Sequence, residues 1–303
     1  MGAMMKRLAA TAFALTLTLT ACGTQGSESS GDAPTGATDG AAADAAAMVA
    51  TTQVWADVAS AVTGDEVPAI IDNPSTDPHD YEPTAADLAE IAQAKTVVAN
   101  GGAYDAALYN AAKGNLITAL EPTEAHDHGH EHEHEHGEEG HDHEHEGHDH
   151  AHGEENEHIW YSTEAIRDVA EQIGGNPIDD KLAGIDESLT ALPEAHVIQT
   201  HPIADAIVEE SALVDDTPES YRHATLNHSE PSAAAVAEAL EAIKDADILI
   251  NNSQSPNAVS ERLVAAAKEA GVPVVDITET PQDGKNFFDY FQEVLDQLNA
   301  AAT

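Results

Sequence analysis

The sequence predicts an α/β protein of two lobes, each built from parallel-sheet α/β units, joined by a linking helix with a ligand cleft between them. Two observations lead there. From residue 46 onward, short apolar runs alternate with helical stretches, the pattern of strand–helix–strand units. That alternation also occurs twice, once on each side of Gly174–Leu192. Each half is long enough to build a core of its own.

In the first half the predicted strands are Met48–Thr52, Val67–Ile71, Val97–Asn100 and Leu116–Ala119, and the predicted helices are Gln53–Val62, Ala85–Ala92 and Tyr104–Ala112. Thr84 with Asp87 three residues later has the form of a capping box, which fixes the start of the second helix. After a His-rich interruption come helices over Thr163–Ile173 and Asp179–Leu192, separated by Gly174-Gly175-Asn176-Pro177. The second half predicts strands His196–Thr200, Ile248–Asn251 and Val274–Ile277. Its helices are Ile203–Glu209, Ser232–Ile243, Ala258–Ala270 and Asn286–Leu298. Pro231 suits a first helical turn and Gly271 a C-terminal stop. Thr217–Glu230 reads as a polar loop.

The start of the chain has its own logic. Lys6 and Arg7 precede an apolar run, Leu8–Thr20, too short to span a bilayer as a helix and suited to a secretory signal. The run ends Leu19-Thr20-Ala21-Cys22, which resembles a bacterial lipobox, and Cys22 is the only cysteine. The expected organisation is a lipoprotein signal peptide over 1–21 and a Gly/Ser/Thr-rich flexible tether over 22–45. A first lobe follows over 46–175, containing a His-rich loop at 122–157. A linking helix spans 176–195 and a second lobe 196–303. An exported protein, anchored to the outer face of the cytoplasmic membrane through acylated Cys22, is implied.

Composition narrows the ligand. The 303 residues carry 56 acidic and 11 basic side chains, for a formal charge of −45. That balance opposes nucleic acid and anionic surfaces and suits a cation. One cysteine excludes an internal disulfide and multi-thiolate zinc sites. Twelve of the 18 histidines crowd into residues 126–152: His126, His128, His130, His132, His134, His136, His141, His143, His145, His148, His150 and His152. Asp, Glu, Gly and a single Ala make up the rest, so this stretch cannot build a core. It reads as an auxiliary metal-gathering loop of several weak sites. Only 10 of the 56 acids lie in it, so the acidity belongs mainly to the rest of the chain.

In open α/β sheets, ligands bind beyond the carboxyl ends of strands. His79 follows the second predicted strand and His201 follows the first strand of the second half. His158 stands where the chain leaves the His run, and Asp276 lies near the end of Val274–Ile277. Two precede the linking helix and two follow it, so a cation bound by all four would bridge the cleft. Three imidazoles and one carboxylate match Zn²⁺ and leave no open position for a catalytic water. His196 reads as a strand-edge residue, and His223 and His228 as ordinary loop residues with a lesser reading as auxiliary ligands. No His-Glu-x-x-His and no activated Ser or Cys is present, so an enzyme is not expected.

These motifs resemble those of the cluster A-I metal-binding lipoproteins, solute-binding proteins of bacterial ABC transporters. The resemblance rests on Asp77-Pro78-His79-x-Tyr81-Glu82-Pro83-Thr84, on Val49–Trp55, and on Ala99-Asn100-Gly101. His158-Ile159-Trp160, Thr200-His201, Ser229-Glu230-Pro231-Ser232 and Asp276 extend it over about residues 47–298. It implies two lobes on a long helix, and a monomer that delivers its metal to a membrane permease driven by a cytoplasmic ATPase. It implies His79, His158, His201 and Asp276 as ligands. His201, where manganese members are expected to carry Glu, implies the zinc branch and Zn²⁺ as cargo. Manganese or broad-metal uptake, or a His-rich zinc storage or chaperone lipoprotein, stands as the alternative. Gly174–Pro193 is short for the long helix, so the spine is expected to be abbreviated or partly supplied by Thr163–Ile173.

Overall fold

Parallel pairing of β1 (Met48–Thr52), β2 (Ala69–Ile71), β3 (Thr96–Ala99) and β4 (Asn115–Thr118) gives a first sheet of order β2-β1-β3-β4. The chain then repeats the plan. β5 (Ala195–Gln199), β6 (Leu213–Asp215), β7 (Ile248–Asn252) and β8 (Val274–Ile277) pair in parallel as β6-β5-β7-β8. The computed structural model describes residues 47–123 and 156–303. The expected signal peptide, Cys22, the tether and the twelve histidines of 126–152 lie outside these residues.

The inner strands β1, β3 and β7 are buried on both faces because helices cover both, as parallel sheets require. Alternation assigns successive side chains to different cores. Ala50, Val98, Val197, Ile248 and Ile250 enter one large central cluster, whereas Val49 and Val97 enter an outer cluster of the first lobe. Ile198 and Leu249 enter an outer cluster of the second lobe. The central cluster is shared between lobes: Trp55, Trp160 and Ile166 from the first half pack in it with Ile203, Phe287 and Phe291 from the second.

Helix boundaries follow local chemistry. α1 (Gln53–Thr63) starts directly after β1 and stops at Gly64, at φ 78°. α2 (Ala85–Gln93) carries the predicted capping box of Thr84 and Asp87. α3 (Ala106–Tyr109) is much shorter than Tyr104–Ala112 suggests. Asp105 does not cap it. Its carboxylate turns back to accept from the backbone N–H groups of Asn100 and Gly101 and from Thr51 Oγ1, which holds the turn after β3. α4 (Thr163–Ile173) and α5 (Asp179–Ala191) follow.

In the second lobe, α6 (Asp205–Glu209) leads to β6, a three-residue strand that its polar surroundings hide in the sequence. The expected polar loop at 217–230 contains α7 (Glu219–Leu226), where Arg222 forms ion pairs with Asp205 and Asp215. α8 (Ala233–Ala242) is capped by Ser232, whose hydroxyl accepts from Ala235 N, so Pro231 sits just before the cap and not in the first turn. α9 (Ala258–Ala270) stops at Gly271 in the left-handed region, as its sequence predicts.

The lobes are joined by more than α5. With 13 residues, α5 spans about 20 Å at 1.5 Å per residue. α10 (Phe287–Ala301) packs along α5 and against α1, returning the end of the chain to the first lobe. Its first amide, Phe287 N, donates to Asp57 Oδ2 of α1 at 2.7 Å. The spine that the resemblance implies is therefore a bundle of α1, α4, α5 and α10.

Candidate metal centre

Each histidine is placed by a short, strongly held turn. After β2, Asp77 Oδ1 accepts from His79 N at 3.0 Å and caps a single 3-10 turn over Pro78–Asp80. Pro78 at its first position needs no partner for an N–H it lacks. The turn is tied across the cleft: Ser255 Oγ donates to Asp77 Oδ2 at 2.5 Å, and Gln254 Nε2 to the Thr76 carbonyl at 2.6 Å.

His158 is oriented by Asn156. Asn156 Oδ1 accepts from His158 N at 3.0 Å and lies 2.8 Å from His158 Nδ1. An amide oxygen can only accept, so Nδ1 carries the proton and Nε2 is left free as a ligand. Asn156 Nδ2 donates to the Pro202 carbonyl and to Asp205 Oδ2, at 2.6 and 2.7 Å. One side chain thus joins the turn carrying His158 to the turn carrying His201.

His201 follows β5, whose register is continued by Thr200 N donating to the Ile250 carbonyl. Its Nδ1 is buried and has no hydrogen-bond partner among the described residues. A cation would satisfy such an atom.

The carboxylate that meets His79 and His158 is Glu279, two residues beyond β8 and 2% exposed. Glu279 Oε1 accepts from Asn252 Nδ2 at 2.8 Å, and Oε2 from Tyr104 Oη at 3.1 Å. His79 Nε2 lies 3.5 Å from His158 Nε2 and 3.4 Å from Glu279 Oε2, and His158 Nε2 lies 3.8 Å from Glu279 Oε1. The His201 ring centre is 4.6 Å from that of His158 and 6.4 Å from that of His79. Asp276 is not brought to this group. Its side chain projects from β8 to solvent and accepts from Asn251 Nδ2 at 2.7 Å.

The protonation states suit a cation. Burial and the neighbouring imidazoles hold His201 well below the ordinary histidine range, and burial also lowers His79. Burial alone would raise Glu279, but its electrostatic interaction with His79 and His158 and the hydrogen bond from Asn252 prevail and bring it down to about 2. At neutral pH the cluster therefore offers lone pairs on the two rings and a full negative charge on the carboxylate.

Other histidines separate clearly. His196 is exposed and paired with Asp216 at 2.7 Å, as a strand-edge residue should be. His228 lies beside the cluster, its ring centre 4.6 Å from that of His79. Sequence reasoning missed Glu279, Tyr104, Asn156 and Glu157. Glu279 had a signal: His79 and His201 stand beyond strand ends, and the same criterion applied after Val274–Ile277 selects Glu279, not Asp276.

A zinc-uptake family model, described as the periplasmic component A of the zinc-uptake complex (ZnuA), matches residues 48–180 and 176–301. The chain belongs to this family. Like other ZnuA-family proteins it is a metal-binding solute-binding protein of an ABC transporter, periplasmic or extracellular, and not an enzyme. Among curated proteins none matches it. Solved structures similar in fold include a ZnuA, at 17% identity and TM-score 0.57, over 86% of this chain and 100% of that one. TroA, a periplasmic zinc-binding protein from Treponema pallidum, is 15% identical with TM-score 0.58, over 84% and 98%. FpvC of Pseudomonas aeruginosa, solved in complex with Mn²⁺, is 16% identical with TM-score 0.58, over 84% and 97%. Among the described residues of the ZnuA-family chain, no helix is long and apolar enough to cross a membrane.

Proposed function

We propose that this chain is the zinc-capturing member of its transporter, taking Zn²⁺ between the lobes on His79, His158, His201 and Glu279 and passing it to the permease. The observation that carries this reading is the meeting of His79 and His158 on one buried carboxylate, with the His201 ring beside His158 and its Nδ1 without a hydrogen-bond partner among the described residues. Three neutral nitrogens and one oxygen suit a borderline-soft tetrahedral ion better than Mn²⁺, which favours oxygen-rich octahedral sites. Glu279 replaces Asp276 as the fourth ligand in this reading. Two carboxylate hydrogen bonds, from Asn252 and Tyr104, hold Glu279 before the ion arrives, which lowers the cost of ordering it.

In the same proposal Cys22 is acylated and tethers a monomer near the permease and its cytoplasmic ATPase. The histidines of 126–152 gather zinc weakly and raise its local supply. The deciding experiment is metal analysis of protein lacking residues 126–152, after mild chelation and with Zn²⁺ and Mn²⁺ in competition. One zinc retained per chain supports capture in the cleft. No retained metal supports storage on the His-rich run, and retained manganese reverses the cargo.

A further inference from the structure

His79 faces two groups with two different atoms. Its Nε2 meets His158 and Glu279, while its Nδ1 lies 3.8 Å from Glu157 Oε2. The same Glu157 oxygen lies 3.6 Å from His228 Nε2. One ligand atom from each of His79, Glu157 and His228 falls within 4.8 Å of the others, as happens for His79, His158 and Glu279. The second trio is buried around Glu279, whereas in the first His228 is exposed.

The outer trio is held in place. Glu157 Oε1 is anchored by Ala103 N at 2.8 Å, which leaves Oε2 to the imidazoles. His228 occupies the left-handed backbone region, at φ 48°, an uncommon conformation for a residue other than glycine. The next residue locks that turn, since Ser229 N and Oγ both donate to the Ala224 carbonyl. A cavity of about 520 Å³ is lined by His228 of the outer group together with His79, His201 and Glu279.

We propose that His79 Nδ1, Glu157 and His228 form an outer, transient seat for the incoming divalent cation, one ligand exchange away from the inner site. This rests on the inner-site reading above. A neutral imidazole coordinates through one nitrogen and keeps its proton on the other, so His79 serves one seat at a time. As the ion passes inward, the bond to Nδ1 breaks, the bond to Nε2 forms, and the ring proton moves from Nε2 to Nδ1. Nδ1–H then faces Glu157, which becomes the carboxylate that orients a ligating histidine. The outer seat is dismantled by the act of filling the inner one, so it speeds passage without retaining a second ion.

The test uses the full chain and Zn²⁺ alone, with His228→Asn, which tolerates positive φ, and Glu157→Gln, which keeps an acceptor for Ala103. Trp160, its ring centre 5.1 Å from that of His158, reports inner-site occupancy by stopped-flow fluorescence. Filling and chelator-driven emptying should both slow, by roughly ten-fold, within the range a focused charged site gives to on-rates. A residue that merely shaped the inner site would speed emptying instead, and that result overturns the proposal. In a His158→Ala/Glu279→Gln double variant, zinc should shift the ¹⁵N resonances of His79 Nδ1 and His228 Nε2; an unperturbed His228 ring also overturns it. Wild-type protein that acquires no tightly held zinc would sink the inner-site reading instead.

Discussion

At the scale of single residues, the cleft works through positions that carry no histidine. Asn156 sets the tautomer of His158, and Tyr104 and Asn252 hold the two oxygens of Glu279. Glu279→Gln should weaken zinc binding by more than the roughly 10–100-fold that loss of a supporting residue costs. Asp276→Asn should leave it nearly unchanged. Chelator competition on both variants checks the pair, and the opposite order would return Asp276 to the site. The pH dependence has a definite sign. His79 and His201 sit below the ordinary value of 6.5 in the fold, so the folded chain takes up these protons later than the unfolded one. Stability of the metal-free protein is therefore full above about pH 6.5 and falls as pH drops below it. Glu279, at about 2 against 4.5, adds a second loss between those values. Thermal midpoints of metal-free protein from pH 8 to 4 should show the first decline. Zinc affinity should hold to below pH 6.5, because protons compete with these lowered imidazoles later than with a free one.

At the scale of elements, apolar periodicity made most of the fold readable. β1, β8, α4 and α9 fall on the residues that alternation and caps predict. The failures have physical causes. β6 is three residues long and held by pairing with β5 and by the ion pairs of Arg222, which no local pattern announces. α3 is cut short because Asp105 serves the turn after β3, and burial raises that carboxyl to about 6. The turns that carry the candidate ligands were legible where a strand end precedes them, as at His79 and His201. Their supports were not, because Asn156 and Tyr104 act across distances that only tertiary folding closes. That turn after β3 supplies a prediction. At Gly101, φ is 86° and an added Cβ would lie 2.2 Å from the Leu120 carbonyl oxygen. Gly101→Ala should cost at least about 1–3 kcal/mol, measured by chemical denaturation. It should loosen His158 as well, because Asn100 Nδ2 next door donates to the Glu157 carbonyl at 2.8 Å.

At the scale of the whole molecule, two sheets of identical strand order behave as one cooperative body. The central cluster joins Trp55 and Trp160 to Phe287, Phe291 and Leu295, and α10 crosses from the second half of the sequence to the first. Phe291→Ala should remove about 3–5 kcal/mol. It should lower a single unfolding transition common to both lobes, seen as coincident far-UV dichroism and tryptophan fluorescence curves. Two separated transitions would show that the lobes melt independently. Zinc at a hundred times its dissociation constant should add about 2.7 kcal/mol to that same transition.

The amide of Gln254 has a consequence for how cargo leaves. Its nitrogen donates to Thr76 of the first lobe, and its oxygen accepts from the amides of Glu279 and Thr280 in the second. With a common core behind it, such a body is stiff in the direction in which hinged clam-shell receptors are soft. Unloading is then a matter of unlatching loops at the rim, and a transporter that pried at that one amide would disturb the His79 turn and the Glu279 backbone in a single motion.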